Sequence, residues 1–430
     1  MGIVGGGQLA WMLAEAADGL GVDLHVQTPN SDDPATGRAS SMVEAALDDV
    51  DGTRLLAERC GAVSFENEWI PLDALLPLAD EGVRFVPSLL ALKPLVDKRR
   101  QRELLDAHHL PSVRWCPLEA TLLPPEPPLL TDGDFGDSAM VLVAEASSAF
   151  EQPNTGHAAE PQLQEPRLPE GFNFPVMAKA TSGGYDGRGT RVLQHQSDLE
   201  ALLAQVDPSG WIVEELVGFE QELALTICRD WQGRLEQFPL VQTHQHRQVC
   251  DWVVFPAEVD HAVEAFARNV AASLVTALDY VGVLTIEFFY GPGGLQVNEL
   301  APRTHNSGHY TIEACHTSQF EQQVRIVTGL PMGSTAPRLA GALMVNLLGS
   351  AVTTPPEELE GRLQRLRQLP GVHLHWYGKR GQRPGRKLGH LTIPLEAGSA
   401  EERRAECSRW LEQVRAIWPQ FDPQEPRQGA

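Results

Sequence analysis

Apolar and polar positions along the first hundred residues alternate on two scales. Short apolar runs at 3–4, 23–26, 61–65 and 83–86 are separated by stretches of helical periodicity at 8–20 and 73–78. Runs that short between amphipathic helices predict a parallel sheet in an α/β layer. Residues 98–109 read as a charged helix opened by Asp97 and closed by Pro111. Between 174 and 217 the pattern changes. Apolar runs at 175–179 and 211–215 flank a glycine-rich loop and a helix expected over 197–205, which makes a small α+β module. A strand at 222–228, a helix at 259–278, a hairpin with arms near 285–289 and 296–301, and a helix at 317–328 complete a middle domain. The remainder predicts a strand at 342–347, helices at 357–366 and 400–417, and strands flanking a basic turn, with no internal repeat. Three domains follow: 1–96, 97–335 and 336–430.

Composition narrows the function classes. A chain of 430 residues that is 42% hydrophobic buries a substantial core. Its formal charge of -23, from 34 basic and 57 acidic side chains, opposes adhesion to nucleic acid and to anionic membranes. Residues 117–170 carry ten acidic side chains, one basic one at Arg167, and many prolines, the composition of a surface insertion with little to bury. Cysteines at 60, 116, 228, 250, 315 and 407 form no paired motif, which suits reduced thiols and a cytoplasmic setting. No segment reaches the length of a membrane span.

Against that acidic background, several clusters carry chemistry. The hairpin places Glu287 on one arm and Asn298 and Glu299 on the other, joined by Gly291-Pro-Gly-Gly294. Hard oxygen ligands on adjacent strands suit Mg²⁺, which takes one or two carboxylates and fills its octahedron with water and nucleotide phosphates. A four-residue turn sets Asn298 opposite Glu287, and a three- or five-residue loop sets Glu299 there, so the register stays open. At residues 180–189 four glycines free backbone amides to approach a polyanion, and Lys179 precedes them. The spacing is not that of a P-loop. Glu214, Glu215, Leu216 and Val217 end a strand whose backbone can meet an adenine edge, and Glu222 follows on the next strand.

Gly5-Gly-Gly-Gln-Leu-Ala10 lies between a strand and a helix, where a phosphate can rest on the helix end. The next strand ends Val26-Gln27-Thr28 without an acidic residue for a ribose, which places a monophosphate ahead of NAD. Residues 379–387 hold five of the 34 basic side chains, either a solvated turn or a seat for a phosphate-bearing substrate. His305 and His309 are four apart, but Pro302 and Gly308 favour a loop, in which Arg303, His305, Asn306 and His309 suit a small anion better than zinc. His108, His109, His373 and His375 read as structural or solvated.

In order along the chain, residues 5–10, Phe65-Glu-Asn67, Asp97-Lys98, Lys179 with Ser182-Gly-Gly-Tyr-Asp-Gly-Arg-Gly189, Glu214 to Val217, Glu287, residues 298–309, His375 to Lys379 and Pro384-Gly-Arg-Lys-Leu-Gly-His390 resemble the N5-carboxyaminoimidazole ribonucleotide synthetase family of ATP-grasp ligases. The resemblance spans about residues 2–395 apart from the acidic insertion. It implies an ATP-grasp fold behind an N-terminal Rossmann-like pre-ATP-grasp domain, with a small β-rich C-terminal domain and a lid over about 175–217. It further implies carboxylation of 5-aminoimidazole ribonucleotide with ATP and bicarbonate, through carboxyphosphate, in purine biosynthesis, by a homodimer. By matching position, ATP would be held by Lys98, Lys179, Gly183, Gly184, Tyr185, Asp186, Gly187, Arg188, Gly189, Glu214, Glu215, Leu216, Val217, Glu222, Gln245, Asn298 and Glu299. Mg²⁺, or Mn²⁺ in its place, would sit on Glu287 and Glu299. The aminoimidazole ribonucleotide would meet Gln8, Leu9, Glu66, Tyr185, Asp186, Arg188, Lys379 and Arg386. Arg303, His305 and Asn306 would position bicarbonate or departing phosphate, and the catalytic set would include Asp186 and Lys379. Where the family often has Asn-x-His, this chain reads Thr243-His-Gln-His246, leaving open whether Gln245, His244 or His246 meets the nucleotide. Rival readings are another ATP-grasp ligase, such as formate-dependent glycinamide ribonucleotide transformylase or a biotin-carboxylase-like protein, and a nonenzymatic nucleotide-binding regulator.

Overall fold

The computed structural model describes residues 1–122, 165–184, 189–350 and 353–419. The chain starts with a four-stranded parallel sheet in the order Ser41–Glu44, His25–Thr28, Gly2–Val4, Val63–Phe65. The expected strand at 83–86 is reduced to a single bridge between Val63 and Phe85. The edge strand Ser41–Glu44 and the helix Val50–Ala57 had no clear sequence signal, since only Val43 of that strand is buried and no alternation shows. Asp49 caps the helix by accepting from the Gly52 N–H at 3.1 Å.

Two antiparallel sheets follow. The smaller runs Trp115–Pro117, Trp211–Glu215, Val176–Ala180, Thr190–Leu193 and packs its apolar face on the helix Gln196–Leu203 through Leu199 and Leu202. Most of the acidic insertion, 123–164, lies outside the described residues. The larger sheet has nine strands, in the order Gly294–Ala301, Gly282–Gly291, Gln221–Arg229, Val241–His246, Val249–Phe255, Gly341–Leu348, Lys387–Leu395, His373–Trp376, with Leu235–Gln237 beside Gln221–Arg229. It crosses residue 335 without a break, because Val249–Phe255 pairs with Gly341–Leu348 from Trp252 opposite Val345 to Phe255 opposite Ala342. All eight residues of Gly341–Leu348 are buried. Burying each large aliphatic side chain there contributes about 1.5–3 kcal/mol.

The expected helices at the ends of the middle region form at Lys98–Ala107, His261–Ala277 and Gln319–Thr328. Asp97 caps the first, accepting from the Arg100 N–H at 2.9 Å. Ser399 and Glu402 close a capping box at the start of Ala400–Ile417. The six cysteines are free thiols. Among the described residues no helix is long and apolar enough to cross a membrane.

Candidate active site

The smaller sheet meets the larger one through a buried ion cluster. Arg102, on the helix Lys98–Ala107, donates to Glu214 at 2.8 Å, to the Val297 carbonyl at 2.8 Å and to the Asn298 carbonyl at 2.6 Å. Lys179 completes the Glu214 pair at 2.7 Å and reaches the Asn298 amide oxygen at 3.3 Å. Burial alone would push the Glu214 carboxyl up, but Lys179 and Arg102 hold it down to about 2. Lys179 has its ammonium pKa lowered by burial, against the pull of Glu214, because Arg102 and Lys98 stand beside it. The two partners differ for a reason: Glu214 has two cations, whereas Lys179 shares one carboxylate with Arg102. Lys98 pairs with Glu299 at 2.8 Å, and that carboxylate outweighs burial in keeping Lys98 charged. Lys98, Arg102 and Lys179 thus face two carboxylates, an excess of positive charge suited to a polyphosphate. Glu214, expected at the nucleotide, is instead consumed in orienting Lys179.

The hairpin corrects the expected register rule. Gly291 pairs with Gly294, so the turn is the four-residue kind that should set Asn298 opposite Glu287. A β-bulge between Glu287 and Phe288 shifts the ladder, and Glu299 takes that place. Val297 and Leu300 both enter the core, which leaves the two residues between them, Asn298 and Glu299, on the cleft side. Burial, then Glu299 and Glu222, push the Glu287 carboxyl up, while Lys98 holds Glu299 low. Glu299 nevertheless keeps 44% side-chain exposure, so the pair lines an open cleft. Two like-charged hard-oxygen donors forced together in this way fit a divalent cation. Among the described residues no group of three or more His, Cys, Asp or Glu side chains is placed to hold a metal ion.

Glu222, two strands from Glu299, accepts from the Gln245 N–H at 3.2 Å, and burial pushes its carboxyl up to about 7. Only the Gln245 backbone is engaged there; the His244 ring stacks on Trp252 at 4.9 Å. Glu215 ends the strand, with its N–H taken by the Arg114 carbonyl at 2.9 Å, and Leu216 and Val217 follow it. Gly183, Gly184 and Gly189 frame the loop between paired strands, whose base is tied to Lys98 by its N–H to the Thr181 carbonyl at 2.8 Å. Tyr185, Asp186, Gly187 and Arg188 lie outside the described residues.

After the hairpin, Arg303 pairs with Glu68 at 2.8 Å and keeps its Nε buried without a partner. Burial disfavours its charge, and Glu68 with help from Glu299 and Glu66 restores it, so this guanidinium lies between the N-terminal layer and the hairpin. Ser307 N–H donates to His305 Nδ1 at 3.3 Å, leaving Nε2 to carry the ring proton toward Glu287 at 3.5 Å. Burial, with Arg303 and Lys387 nearby, brings the His305 pKa down to about 3, so the ring is neutral. Asn306 departs from its expected role: its amide is paired reciprocally with Asn346, at 3.0 and 2.7 Å. His309 is fully buried against His390, and His390 stacks on His375, which bonds Glu313 at 2.8 Å, so the three rings pack as one group.

At the other end of the cleft the glycine-rich start of the chain serves a side chain. Glu66 accepts from the Gly7 N–H at 2.6 Å, from Leu9 at 3.0 Å and from Ala10 at 3.4 Å, so it occupies the helix end expected to hold phosphate. A Cβ on Gly7 would stand 2.5 Å from that carboxylate, which is why glycine is required. The Leu9 amide is therefore not available to a ligand. Gln8 remains, and its side-chain oxygen accepts from Lys379. Lys379, Arg380 and Arg386 line a cavity of about 290 Å³ with Asn30, Ser31 and Asp32. Arg380 is taken by Asp32 at 2.6 Å. Arg386 bonds the Arg380 and Gly381 carbonyls and lines the cavity, whereas Gln8 meets only Lys379 of this group and does not line it. Sequence reasoning missed Arg102, although it lies one helical turn after Lys98 on the same helix face.

Comparison with known proteins agrees with this arrangement. Residues 1–94 match the ribonucleotide synthetase preATP-grasp domain, 155–320 the ATP-grasp domain, and 342–404 the phosphoribosylaminoimidazole carboxylase C-terminal domain. The N5-carboxyaminoimidazole ribonucleotide synthase of Synechococcus elongatus is 44% identical over 98% of this chain and 96% of its own length. The carboxyaminoimidazole ribonucleotide synthase of Aspergillus clavatus complexed with ATP superposes with TM-score 0.77 at 27% identity, covering 97% of this chain and 98% of that one. The same organism's enzyme with ADP and 5-aminoimidazole ribonucleotide gives 0.76 at 26% identity, over 96% and 98%. Domain order, sheet architecture and near-complete coverage place this chain in the N5-carboxyaminoimidazole ribonucleotide synthase family of ATP-grasp ligases.

Proposed function

We propose that this chain carboxylates 5-aminoimidazole ribonucleotide on its exocyclic amine, using ATP and bicarbonate, as a ligase of purine biosynthesis. The observation that carries the reading is the cleft itself. An excess of buried positive charge, Lys98, Arg102 and Lys179, stands beside the Glu287 and Glu299 pair, and Arg303 carries an unpartnered donor between that pair and Glu66.

Lys98 and Lys179 hold the ATP phosphates, and Glu222 faces the ribose end. Glu287 and Glu299 would hold Mg²⁺, which when bound neutralises phosphate charge and polarises the γ-phosphorus. A bicarbonate oxygen attacks that phosphorus, the bond to ADP breaks, and carboxyphosphate forms. Arg303 keeps the small anion in place, and neutral His305 offers it an Nε2 proton. The substrate amine then forms its bond to the carboxyl carbon, directly or after carbon dioxide is released in the site. Phosphate departs, and the amine gives up a proton. Carboxyphosphate is short-lived in water, so the site must exclude water while it waits for the amine. Lys379 and Arg386 receive the ribonucleotide phosphate in their cavity. A homodimer acting in the cytoplasm is part of the same proposal.

ADP release measured with bicarbonate, with and without aminoimidazole ribonucleotide, beside formate with glycinamide ribonucleotide, tests this. Product should form only with the first pair. Preference for formate and glycinamide ribonucleotide would move the chain to another ligase.

A further inference from the structure

His305 lies on an irregular loop, yet its main chain is gripped from both sides by one buried amide. Gln319 Oε1 accepts from the His305 N–H at 2.9 Å, and Gln319 Nε2 donates to the His305 carbonyl at 2.6 Å. The glutamine is fully buried. Its own N–H is held by Thr311 Oγ1 at 3.0 Å, and it opens a helix capped by Ser318. Gly308 lies against the amide so closely that a Cβ there would stand 2.5 Å from Gln319 Oε1. We infer that Gln319 is a positioning residue, fixing the His305 ring at its 3.5 Å approach to Glu287 and so controlling how well the loop retains the small anion. This rests on the reading that bicarbonate, and the carboxyphosphate made from it, sit at that loop.

Two neighbouring glutamines on the same helix show what a purely structural amide does. Gln322 bonds both backbone groups of Gly333, at 3.0 and 2.7 Å, and Gln323 receives the Val283 N–H at 2.8 Å. Neither backbone partner carries a group of the cleft. Gln319 differs in what its backbone partner bears, besides a 3.4 Å contact to the buried His309 ring, and the first difference gives the test its control.

Gln319→Met keeps the side-chain volume and removes both bonds to His305 together with the 3.4 Å contact to His309 Nδ1. In the full chain, the ratio of ADP formed to carboxylated product should rise several-fold above one, and the bicarbonate KM about tenfold, because a small misplacement is costly in a reacting geometry. The KM values for ATP and aminoimidazole ribonucleotide should hold. Gly308→Ala displaces the same amide without altering it and should move the same two readouts, which carries the test if Gln319→Met fails to fold. Gln322→Met should lower the melting temperature comparably and leave the ratio at one. A ratio of one and an unchanged bicarbonate KM in the folded Gln319 and Gly308 variants overturn the inference. If His305→Ala is equally silent, the placement of bicarbonate falls; if His305→Ala alone uncouples ADP release, only the positioning role falls.

Discussion

At the scale of single residues, the ion cluster decides which charges the cleft offers. Glu214 is 3% exposed and gathers Arg102 and Lys179 on its two oxygens. A carboxyl held at about 2 against an ordinary 4.5 stabilises the fold above pH 4.5 and loses that contribution as pH falls from 4.5 toward 2. The linkage is worth about 3 kcal/mol. Glu214→Gln should therefore melt well below the parent at pH 7, since leaving buried cations unpaired costs about 3–5 kcal/mol. The gap should narrow in melts taken at pH 4 and 3, where the unfolded parent takes up a proton at Glu214 while the folded parent keeps its charge. A gap independent of pH would mean that Glu214 acts through packing alone. Glu66 shows the same economy of charge elsewhere: it is pushed up by burial yet retained by three backbone amides and Lys379.

At the scale of elements, the bulged hairpin is the device that matters. Without it, strand alternation would send Asn298 and Glu299 to opposite faces of the sheet. Deleting Asn298 leaves the ladder continuous, with Glu299 still opposite Glu287 and Val297 still opposite Phe288, so the deletion variant should fold. Lys179 then loses its amide partner, and ADP affinity measured by calorimetry should fall about tenfold. Unchanged affinity would remove Asn298 from the site. The bulge was legible in one respect: apolar positions at Leu295 and Val297 are followed by Leu300, a broken period of two. Turn length alone pointed to the wrong partner, because loop chemistry fixes register only as far as the next irregularity. The helix cap at Asp97 was legible for the opposite reason, since its partner Arg100 lies three residues on. Glu66 on the Gly7 amide and Arg102 on Glu214 bridge 59 and 112 positions. No local pattern encodes such pairs. The same distance explains Asn306, whose partner Asn346 comes from a strand 40 residues on.

At the scale of the whole molecule, the substrate end of the cleft exists only because both ends of the chain meet there. The nine-stranded sheet continues past Gly341–Leu348 into Lys387–Leu395 and His373–Trp376, and the loop between the last two delivers Lys379 to Gln8 and both Lys379 and Arg386 to the segment 29–34. Lys379 and Arg386 line a cavity with the segment 29–34, whereas Lys98 and Lys179 pair with Glu299 and Glu214, so the two sets of cations face different ligand groups. Replacing Lys379 and Arg386 together by alanine should raise the aminoimidazole ribonucleotide KM about a hundredfold or more, two charge-assisted contacts being worth about 1.5–3 kcal/mol each. The ATP KM should stay within about twofold, because the cations assigned to the triphosphate, Lys98 and Lys179, are held by Glu299 and Glu214 from other elements. Steady-state titration of each substrate at saturation of the other separates the two. Equal rises in both KM values would mean that the basic arm attracts anions in general, and the cavity of about 290 Å³ would then no longer serve as the seat of the ribonucleotide phosphate.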